Sequence, residues 1–273
     1  MTKTYAVIGD PIDRTLSPNI HNVAFKELGL DCTYIAYRIP KGELEDGIEG
    51  LKKIKISGFN VTIPHKVDIM KFLDKVDEDC SIIGAANTVS NNDGELKGYN
   101  TDMDGFLEPI KRRNIVIKNS NALIIGAGGA ARAIVTGLAK EGINTITIAN
   151  RTKENAIALC EFAQKIGISA NSISLGEIDD HSSKCNLIVN ATSIGLKNEP
   201  SPIKVETINQ DTVVYDIVYM PMNTDLIQKS KKIGATVIYG YDMLLGQATR
   251  AFEIWHNTRA PYEAMKRAIL GGF

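Results

Sequence analysis

The sequence predicts an α/β fold with two domains, and three observations support this prediction. Short apolar segments typical of strands alternate with segments of helical periodicity along almost the whole chain. The length of 273 residues suits two domains better than one. Residues 121–132 join an apolar strand to a glycine-rich turn and a helix start, which is typical of a parallel βαβ unit.

The composition is that of a globular protein. Hydrophobic residues make up 44% of the chain and charged residues 23%, without the bias of a disordered or fibrous protein. The formal net charge of -1 provides no electrostatic attraction for nucleic acid or an anionic membrane. The first apolar run is too short for a signal peptide, and no stretch reaches the roughly 20 apolar residues that span a bilayer. We therefore expect a cytoplasmic protein.

The cysteines and histidines are widely scattered. The cysteines show no CxxC spacing, and no histidine lies at metal-ligand spacing from them. We expect reduced, mostly buried cysteines and no bound metal. The cysteines are Cys32, Cys80, Cys160 and Cys185.

The first 101 residues form one compact α/β domain in this interpretation. Ser17 is expected to cap its first helix, with Pro18 at the first helical position. A segment of small residues at 82–89 then enters a turn at 91–94, where asparagine, aspartate and glycine tolerate positive φ. We predict strands at 5–9, 33–39 and 58–62, and helices at 17–28, 41–53 and 66–73.

Residues 102–240 form the second predicted domain. A helix at 102–113 leads into it, and helices between its strands make parallel crossovers the natural connections. Two amphipathic helices, 243–257 and 260–270, follow, and we expect residues 241–273 to complete the first domain. The predicted strands of the second domain are 121–125, 145–149, 186–190, 213–217 and 236–239.

The glycine-rich turn after the strand at 121–125 indicates a dinucleotide site. Glycines in this pattern allow a tight turn and let backbone N–H groups and a helix N-terminus approach a pyrophosphate. Ala131 stands at the last position of the fingerprint, which tolerates alanine. The alternative is a tight turn without a ligand. The predicted contact residues are Gly126, Ala127, Gly128, Gly129 and Ala130.

The end of the next strand favours NADP over NAD. NAD sites usually place Asp or Glu there to accept hydrogen bonds from the ribose, whereas arginine suits a 2′-phosphate. Asn150 stands in place of the acid, and Arg151, Thr152 and Lys153 supply donors. The alternative for Arg151 is a solvated surface charge.

Two short polar segments supply the candidate chemistry. Lys66 follows a predicted buried strand, where it can polarise a carbonyl or donate a proton. Asp102 precedes a helix, so it is either the partner of this lysine or an N-cap. Proton transfer beside a nicotinamide indicates an alcohol/carbonyl oxidoreductase. Hydroxyl and amide groups that could bind a small polyhydroxylated acid are those of Thr15, Ser17, Thr62, Asn87 and Asn100.

Together these motifs resemble the shikimate dehydrogenase family. The likeness extends nearly from end to end, through TLSP (15–18), NVTIPHK (60–66), GAANT (84–88), NTD (100–102), GAGGAA (126–131), NRT (150–152), NATSIG (190–195), YDIVY (215–219) and GYDMLLGQA (240–248). The family reduces 3-dehydroshikimate to shikimate with NADPH, on the route to aromatic amino acids.

The resemblance implies a role for each matching residue. It makes Lys66 the catalytic acid/base and Asp102 a member of its hydrogen-bond network. It implies that residues 1–101 with 241–273 bind substrate and catalyse, while 102–240 form a Rossmann-like NADP-binding domain, in a monomer or homodimer. The implied substrate residues are Thr15 and Ser17 for the carboxylate with Tyr219 nearby, and Thr62, Lys66, Asn87, Asp102 and Gln247 around the ring hydroxyls. For the cofactor they are the glycine turn, residues 150–153 at the adenosine end, and Thr192, Ile217, Gly240 and Glu78 on the nicotinamide side.

The chain departs from the family pattern at three positions, and the sequence leaves two rival functions open. Thr15 replaces serine but keeps its hydroxyl, Ala86 replaces valine with a loss of volume, and Tyr239 stands where many members carry aspartate. One rival is a quinate/shikimate dehydrogenase using NAD, against which Arg151 without a neighbouring acid argues. Another is a sensor that binds NADP without catalysis, against which the retained lysine and aspartate argue.

Overall fold

A computed structural model describes residues 2–272, which divide into two compact units. Unit 1 takes in the chain up to Gly105 together with Leu245–Gly272, and unit 2 is Phe106–Leu244. Both boundaries fall inside helices, α4 (Thr101–Arg112) and α9 (Gly240–His256). Among the described residues, no helix has the length and apolar character needed to cross a membrane.

Unit 1 is built on a mixed six-stranded sheet of order β2-β1-β3-β5-β6-β4. Pairing is parallel for β1 with β2, β1 with β3 and β4 with β6, and antiparallel for β3 with β5 and β5 with β6. The strands are β1 (Lys3–Gly9), β2 (Cys32–Arg38), β3 (Gly58–Val61), β4 (Lys75–Val76), β5 (Thr88–Asn92) and β6 (Glu95–Tyr99). Its other helices are α1 (Ser17–Glu27), α2 (Leu44–Lys53), α3 (Glu78–Ile83) and α10 (Tyr262–Leu270), with a 3-10 turn at Asp68–Phe72.

Alternation along β1 gives this sheet two apolar faces, because successive strand residues point to opposite sides. Ala6 and Ile8 pack in a cluster with residues of α2, including Ile48. On the other side, the Tyr5 ring lies 5.6 Å from that of Phe25 in α1 and 5.0 Å from that of Trp255 in α9. Helices therefore cover both faces.

Unit 2 contains a parallel six-stranded sheet of order β12-β11-β10-β7-β8-β9, which is the Rossmann order. The strand order reverses between β7 and β10, and ligands of such sheets bind beyond the carboxyl ends of the strands at this point. The strands are β7 (Asn121–Ile125), β8 (Thr145–Ala149), β9 (Ser169–Ile173), β10 (Leu187–Asn190), β11 (Val213–Asp216) and β12 (Thr236–Ile238). The helices wholly within this unit are α5 (Gly129–Lys140), α6 (Lys153–Lys165), α7 (Ile178–Ser182) and α8 (Asp225–Lys232).

The predicted α/β class and the strands at 121–125 and 145–149 are confirmed, whereas several local predictions were wrong. Helix α2 begins at Leu44 instead of residue 41, because Gly42 adopts a φ of +97° that a helix excludes. The helix predicted at 66–73 is only a 3-10 turn. The backbone carbonyl of Lys66 accepts a hydrogen bond from the Ala86 N–H (2.8 Å) instead of from an N–H of a helix starting at this residue. Strands β4, β5, β6 and β9 were not predicted.

Candidate active site

An ion pair between Lys66 and Asp102 is the centre of the polar site in unit 1. The lysine Nζ donates to the aspartate Oδ2 across 2.5 Å. The two side chains are only 23% and 10% exposed. Their mutual contact places a proton donor against a carboxylate in a partly desolvated position, as proton transfer requires.

The loop after β3 holds Lys66 in place. Its neighbour His65 is buried, and the His65 ring nitrogen Nε2 lies 2.6 Å from the backbone oxygen of Ile39. The His65 N–H also donates to the Thr62 carbonyl at 3.0 Å. With the Ala86 N–H on the Lys66 carbonyl, these bonds fix the backbone that bears the lysine.

Asp102 lies in the first turn of α4, but it does not act as an N-cap. Asn100 performs that role, because its Oδ1 accepts from the Asp102 N–H at 3.1 Å. The aspartate carboxylate binds Lys66 through Oδ2 and accepts from Asn87 Nδ2 through Oδ1 at 2.8 Å. The alternative interpretation of Asp102 as a cap is therefore wrong.

The amide of Asn87 is engaged with the protein at both ends. Its Nδ2 donates to Asp102 and to Thr101 Oγ1 (3.0 Å), which uses both amide protons. Its Oδ1 accepts from the Thr101 N–H (2.7 Å) and from Thr88 Oγ1 (3.1 Å). Asn87 is 3% exposed. The side chain therefore fixes the orientation of the Asp102 carboxylate.

The network continues from Thr88 across the sheet to α1. Asn60 Nδ2 donates to Thr88 Oγ1 at 2.9 Å, and its Oδ1 accepts from the Tyr34 hydroxyl at 2.6 Å. Burial raises the pKa of Tyr34 well above 10, while a hydrogen bond with the Ser17 side chain opposes that rise. Buried polar groups thus link Ser17 to the lysine–aspartate pair.

Thr15 and Ser17 form a pair of hydroxyl groups at the start of α1. Thr15 Oγ1 donates to Ser17 Oγ at 3.2 Å, and the Ser17 N–H donates back to Thr15 Oγ1 at 3.3 Å. The predicted N-cap at Ser17 was wrong, since the helix includes this residue and Leu16 precedes it as the cap. The Ser17 hydroxyl forms hydrogen bonds with the side chains of Thr15 and Tyr34 and does not cap the helix backbone.

Thr62 and Gln247 lie in unit 1 on separate elements. Thr62 directly follows β3, and its N–H donates to the Ile8 carbonyl at 2.9 Å. Gln247 is half-buried on α9, one helical turn before Arg250, whose Nε lies 3.6 Å from Asp104 Oδ2. This contact brings the turn that contains Gln247 to the start of α4.

The glycine turn in unit 2 has the shape of a phosphate site. Gly126 adopts a φ of +111°, and an added Cβ would lie 2.8 Å from the Ala191 carbonyl oxygen after β10. Gly128 and Gly129 are exposed, and an added Cβ there would meet no other described residue within 4 Å. The backbone at the start of α5 is thus open to a pyrophosphate, with Ala127 and Ala130 half-buried beside it.

A buried carboxylate ties together the loops after β10 and β11. Asp216 accepts from Asn190 Nδ2 (2.9 Å), the Val218 N–H (3.0 Å) and Thr224 Oγ1 (2.6 Å). Asn190 Oδ1 in turn accepts from the Thr192 hydroxyl at 2.6 Å. The hydroxyl of Thr192 is therefore engaged within this turn.

The remaining candidates are Ile217, Gly240 and Glu78 for the nicotinamide side and Tyr219 for the substrate. An added Cβ at Gly240 would come within 2.5 Å of the Ile217 carbonyl, so only glycine fits there. Tyr219 is half-buried in unit 2, and burial raises its pKa above 10. Glu78 is an exposed residue at the start of α3 in unit 1, and no described contact joins it to the others.

A cavity of about 380 Å³ lies beyond the carboxyl end of β8 in unit 2. It is lined by the predicted residues Asn150, Arg151 and Lys153, while Thr152 is exposed and accepts from Asn150 Nδ2 through its carbonyl (2.8 Å). The sequence analysis missed the other lining residues, which are Ser172, Ile173, Ser174, Leu175 and Glu177. Glu177 thus adds a carboxylate to the cavity that Arg151 lines, which the sequence did not indicate.

Three family models match successive parts of the chain. The shikimate dehydrogenase substrate binding domain matches residues 7–89, and the shikimate / quinate 5-dehydrogenase domain matches residues 110–217. The shikimate 5'-dehydrogenase C-terminal domain matches residues 240–270. The chain belongs to the shikimate dehydrogenase family. The resemblance inferred from the motifs is confirmed.

Individual members of the shikimate dehydrogenase family match the chain along its whole length. The shikimate dehydrogenase (NADP(+)) of Nitrosopumilus maritimus (strain SCM1) is 68% identical over 273 residues, 100% of each chain. The crystal structure of the Thermus thermophilus enzyme in complex with NADP(H) and shikimate superposes with a TM-score of 0.90 at 34% identity, covering 99% and 100%. Quinate dehydrogenase from Corynebacterium glutamicum in complex with NAD gives a TM-score of 0.93 at 25% identity, covering 99% of each.

Proposed function

We propose that the protein catalyses the reversible NADPH-dependent reduction of 3-dehydroshikimate to shikimate, a step of aromatic amino acid biosynthesis. The observation that carries this proposal is the contact of Lys66 with Asp102 in a partly buried position. Full-length relatives named as NADP(+)-dependent shikimate dehydrogenases support the same function. The enzyme is thus an oxidoreductase acting on a CH–OH group.

Lys66 serves as the acid/base of the reaction. Its ammonium donates a proton to the alkoxide that forms as the ring carbonyl is reduced, and in the reverse direction its amine accepts that proton. Asp102 orients the ammonium and stabilises its charge through the 2.5 Å contact. Asn87 acts through Asp102, since its amide protons are engaged with that carboxylate and with Thr101.

Substrate binding is assigned to hydroxyl and amide groups around this pair. The adjacent hydroxyls of Thr15 and Ser17 bind the carboxylate, and the family resemblance assigns Tyr219 to the substrate as well. Thr62 and Gln247 bind ring hydroxyls. Thr15 keeps the hydroxyl of the family serine and uses it toward Ser17, so its extra methyl group leaves the hydroxyl pair intact.

The residues of unit 2 fit an NADP cofactor. Gly126–Ala130 offer an open glycine turn to the pyrophosphate, and Asn150–Lys153 offer cations and donors to the 2′-phosphate. The family resemblance assigns Thr192, Ile217, Gly240 and Glu78 to the nicotinamide end. NADPH, when bound, supplies the hydride that reduces the carbonyl carbon.

One alternative function has specific support. The Corynebacterium glutamicum quinate dehydrogenase that resembles this chain was crystallised with NAD, and Glu177 lies in the cavity near Arg151. We still favour NADP because two cations, Arg151 and Lys153, line this cavity against one carboxylate. The sensor hypothesis is disfavoured because a protein that only binds NADP needs no partly buried lysine–aspartate pair, whereas such a pair suits proton transfer.

A steady-state assay tests the proposed function. The purified protein is given shikimate or quinate, each with NADP+ or NAD+, and nicotinamide reduction is followed by absorbance. We expect the highest kcat/KM for shikimate with NADP+. A higher kcat/KM for quinate with NAD+, or no turnover with any pair, would overturn the proposal. Cytoplasmic location and a monomeric or homodimeric state remain predictions from the sequence.

A further inference from the structure

The cavity beyond β8 has a second wall to which the proposed function assigns no role. This wall consists of the last two residues of β9 and the turn that follows it, residues 172–175 and 177. Ile173 and Leu175 pack against the apolar core of unit 2, which gives the wall a fixed base. Glu177 provides the one carboxylate among the lining residues of this described cavity. It faces a space whose other charged groups are Arg151 and Lys153.

The Glu177 side chain is held by Ser174. The Ser174 N–H donates to Glu177 Oε2 at 2.8 Å, and the Ser174 hydroxyl donates to the same oxygen at 2.6 Å. Together with the bond from the Glu177 N–H to the Ser174 side chain, this arrangement is a capping box. The Ser174 hydroxyl and N–H lower the pKa of Glu177, and His181 and Lys153 lower it further. The carboxylate is therefore charged at neutral pH.

A carboxylate in this place has two electrostatic consequences. It repels a cofactor 2′-phosphate and so reduces the advantage that Arg151 and Lys153 give to NADP. If it turned toward the ribose, it could accept hydrogen bonds from both hydroxyls, as acids of NAD sites do. The bonds from Ser174 oppose that rotation because they engage Oε2 within the turn.

We propose that Glu177 is a specificity-determining residue that sets the ratio of NADP to NAD affinity, and that Ser174 is the positioning residue that holds it. This inference rests on the proposed function, which places the adenosine 2′-phosphate in the cavity. Neutralising Glu177 should raise the preference for the phosphorylated ribose. Releasing it by removal of the Ser174 hydroxyl should lower that preference.

The chain allows matched variants for this test. Glu177→Gln removes the charge but keeps a side chain that capping boxes accept. Ser174→Ala removes the hydroxyl bond, and Ser174→Thr retains a hydroxyl. Asp180→Asn removes a charge from an exposed residue of α7 outside the cavity lining and serves as the control.

Binding of two adenosine probes supplies the readout. Calorimetry measures the Kd of adenosine 2′,5′-bisphosphate and of adenosine 5′-monophosphate for each variant. The KM values for NADP+ and NAD+ are then measured by steady-state assay. We expect Glu177→Gln to strengthen bisphosphate binding about two- to fivefold with the monophosphate unchanged, the range of single exposed charge pairs. Ser174→Ala should shift the ratio the opposite way, Ser174→Thr should not shift it, and the double variant should match Glu177→Gln.

Equal changes for both probes would show a purely structural role and overturn the inference. A ratio unchanged in Glu177→Gln, or changed as much in Asp180→Asn, would do the same. If the wild-type protein bound the monophosphate more tightly than the bisphosphate, this cavity would not be the site of the 2′-phosphate, and the inference would be overturned. Failure of the proposed function is a separate result, since it appears as no oxidation of shikimate while the probe ratio is still measurable.

Discussion

Asp102 binds two partners at once, and this sets the behaviour expected of its variants. Its Oδ2 accepts from Lys66 and its Oδ1 from Asn87. Asp102→Asn keeps the shape of the side chain but removes the charge that orients the ammonium. It also places one amide group opposite another. We expect kcat to fall by about 10²-fold or more, measured by steady-state oxidation of shikimate, with thermal stability recorded beside it.

Lys66 and Asp102 should act as one unit in this account. Residues in contact couple, so the effect of the double variant Lys66→Ala/Asp102→Asn should be close to that of the poorer single variant. Fully additive losses of kcat would contradict the account, because they would assign independent roles to the two side chains.

Arg151 should contribute to cofactor choice through charge. Charge-assisted bonds of this kind contribute about 1.5–3 kcal/mol, so Arg151→Ala should raise the KM for NADP+ roughly ten- to hundredfold. The KM for NAD+ should change far less because NAD+ has no 2′-phosphate. Lys140→Ala, at the exposed end of α5, provides a control. Equal increases for both cofactors would show that Arg151 does not contact the phosphate.

At the residue scale the sequence indicated Lys66 and Asp102 as candidates but did not indicate the residues around them. Lys66 and Asp102 were predictable because each lies among turn formers and small polar residues at the end of a regular element. The Asn87 amide is fully hydrogen-bonded because Thr101 and Thr88 lie beside it. The spacing of these residues in the sequence does not show that they are close in space. The position of Glu177 was hidden because it lies 26 residues after Arg151 along the chain.

Helix α1 places a buried histidine against the sheet of unit 1. His21 stacks on Tyr34 with ring centroids 4.4 Å apart, and among the described residues its ring nitrogens have no hydrogen-bond partner. Burial, and secondarily the nearby His256, lowers the pKa of His21 to about 3. Burial, with a smaller effect of Lys3, lowers the pKa of His256 to about 4.

These histidines should make the stability of the protein pH-dependent. The unfolded chain protonates histidine near pH 6.5, whereas the folded chain does so only near the lowered pKa values. The free energy of unfolding should therefore be highest above pH 6.5 and should decrease as the pH falls toward 4. The slope of this decrease should approach about 1.4 kcal/mol per pH unit for each histidine. His21→Phe keeps an aromatic ring against Tyr34 and should reduce this slope in thermal melts from pH 7 to 5.

A histidine of unit 2 provides the control for this prediction. His181→Gln should leave the slope close to that of the wild type, because α7 lies outside the aromatic cluster that contains His21 and Tyr34. If His21→Phe and the wild type lost stability in parallel over this pH range, protonation of His21 would not be the cause.

The glycine turn after β7 combines a structural glycine with one that leaves space for a ligand. Gly126→Ala requires a φ of +111° that alanine avoids, and its Cβ would meet the Ala191 carbonyl. We expect it to lower the free energy of unfolding by about 1–3 kcal/mol. Gly128→Ala has a φ of -90° and open space, so its stability should stay within about 0.5 kcal/mol while NADP+ affinity falls. Chemical denaturation and cofactor titration of both variants measure this, and the reverse pattern would contradict it.

The elements that were predicted correctly are those with a strong hydrophobic pattern. Strand β7 lies at the centre of its sheet and β8 lies beside it. Both have the nearly continuous apolar sequence that is typical of buried parallel strands. Strand β9 was missed because it is an edge strand with the sequence SANSI, which contains few apolar residues. Its omission also concealed the second wall of the cavity, since that wall continues from β9.

At the scale of the whole molecule, the chain divides its tasks between two units. The ion pair and its hydrogen-bond network belong to unit 1, and the glycine turn and the cavity beyond β8 belong to unit 2. The sequence predicted parallel crossovers in the second unit, and the Rossmann strand order agrees with them. The mixed order of the sheet in unit 1 was not predictable, because pairing of distant strands such as β4 with β6 leaves no local signal.

The separation of catalysis from cofactor binding is the central claim, and Lys66→Ala tests it most directly. The kcat for shikimate oxidation and the Kd for NADPH, from fluorescence titration, are measured on the same preparation of this variant. We predict a kcat about 10²- to 10⁴-fold below wild type, the usual contribution of a general acid or base, with the Kd for NADPH unchanged. A kcat near the wild-type value would contradict the account and direct attention to Tyr219, as would a loss that arises entirely from weaker NADPH binding.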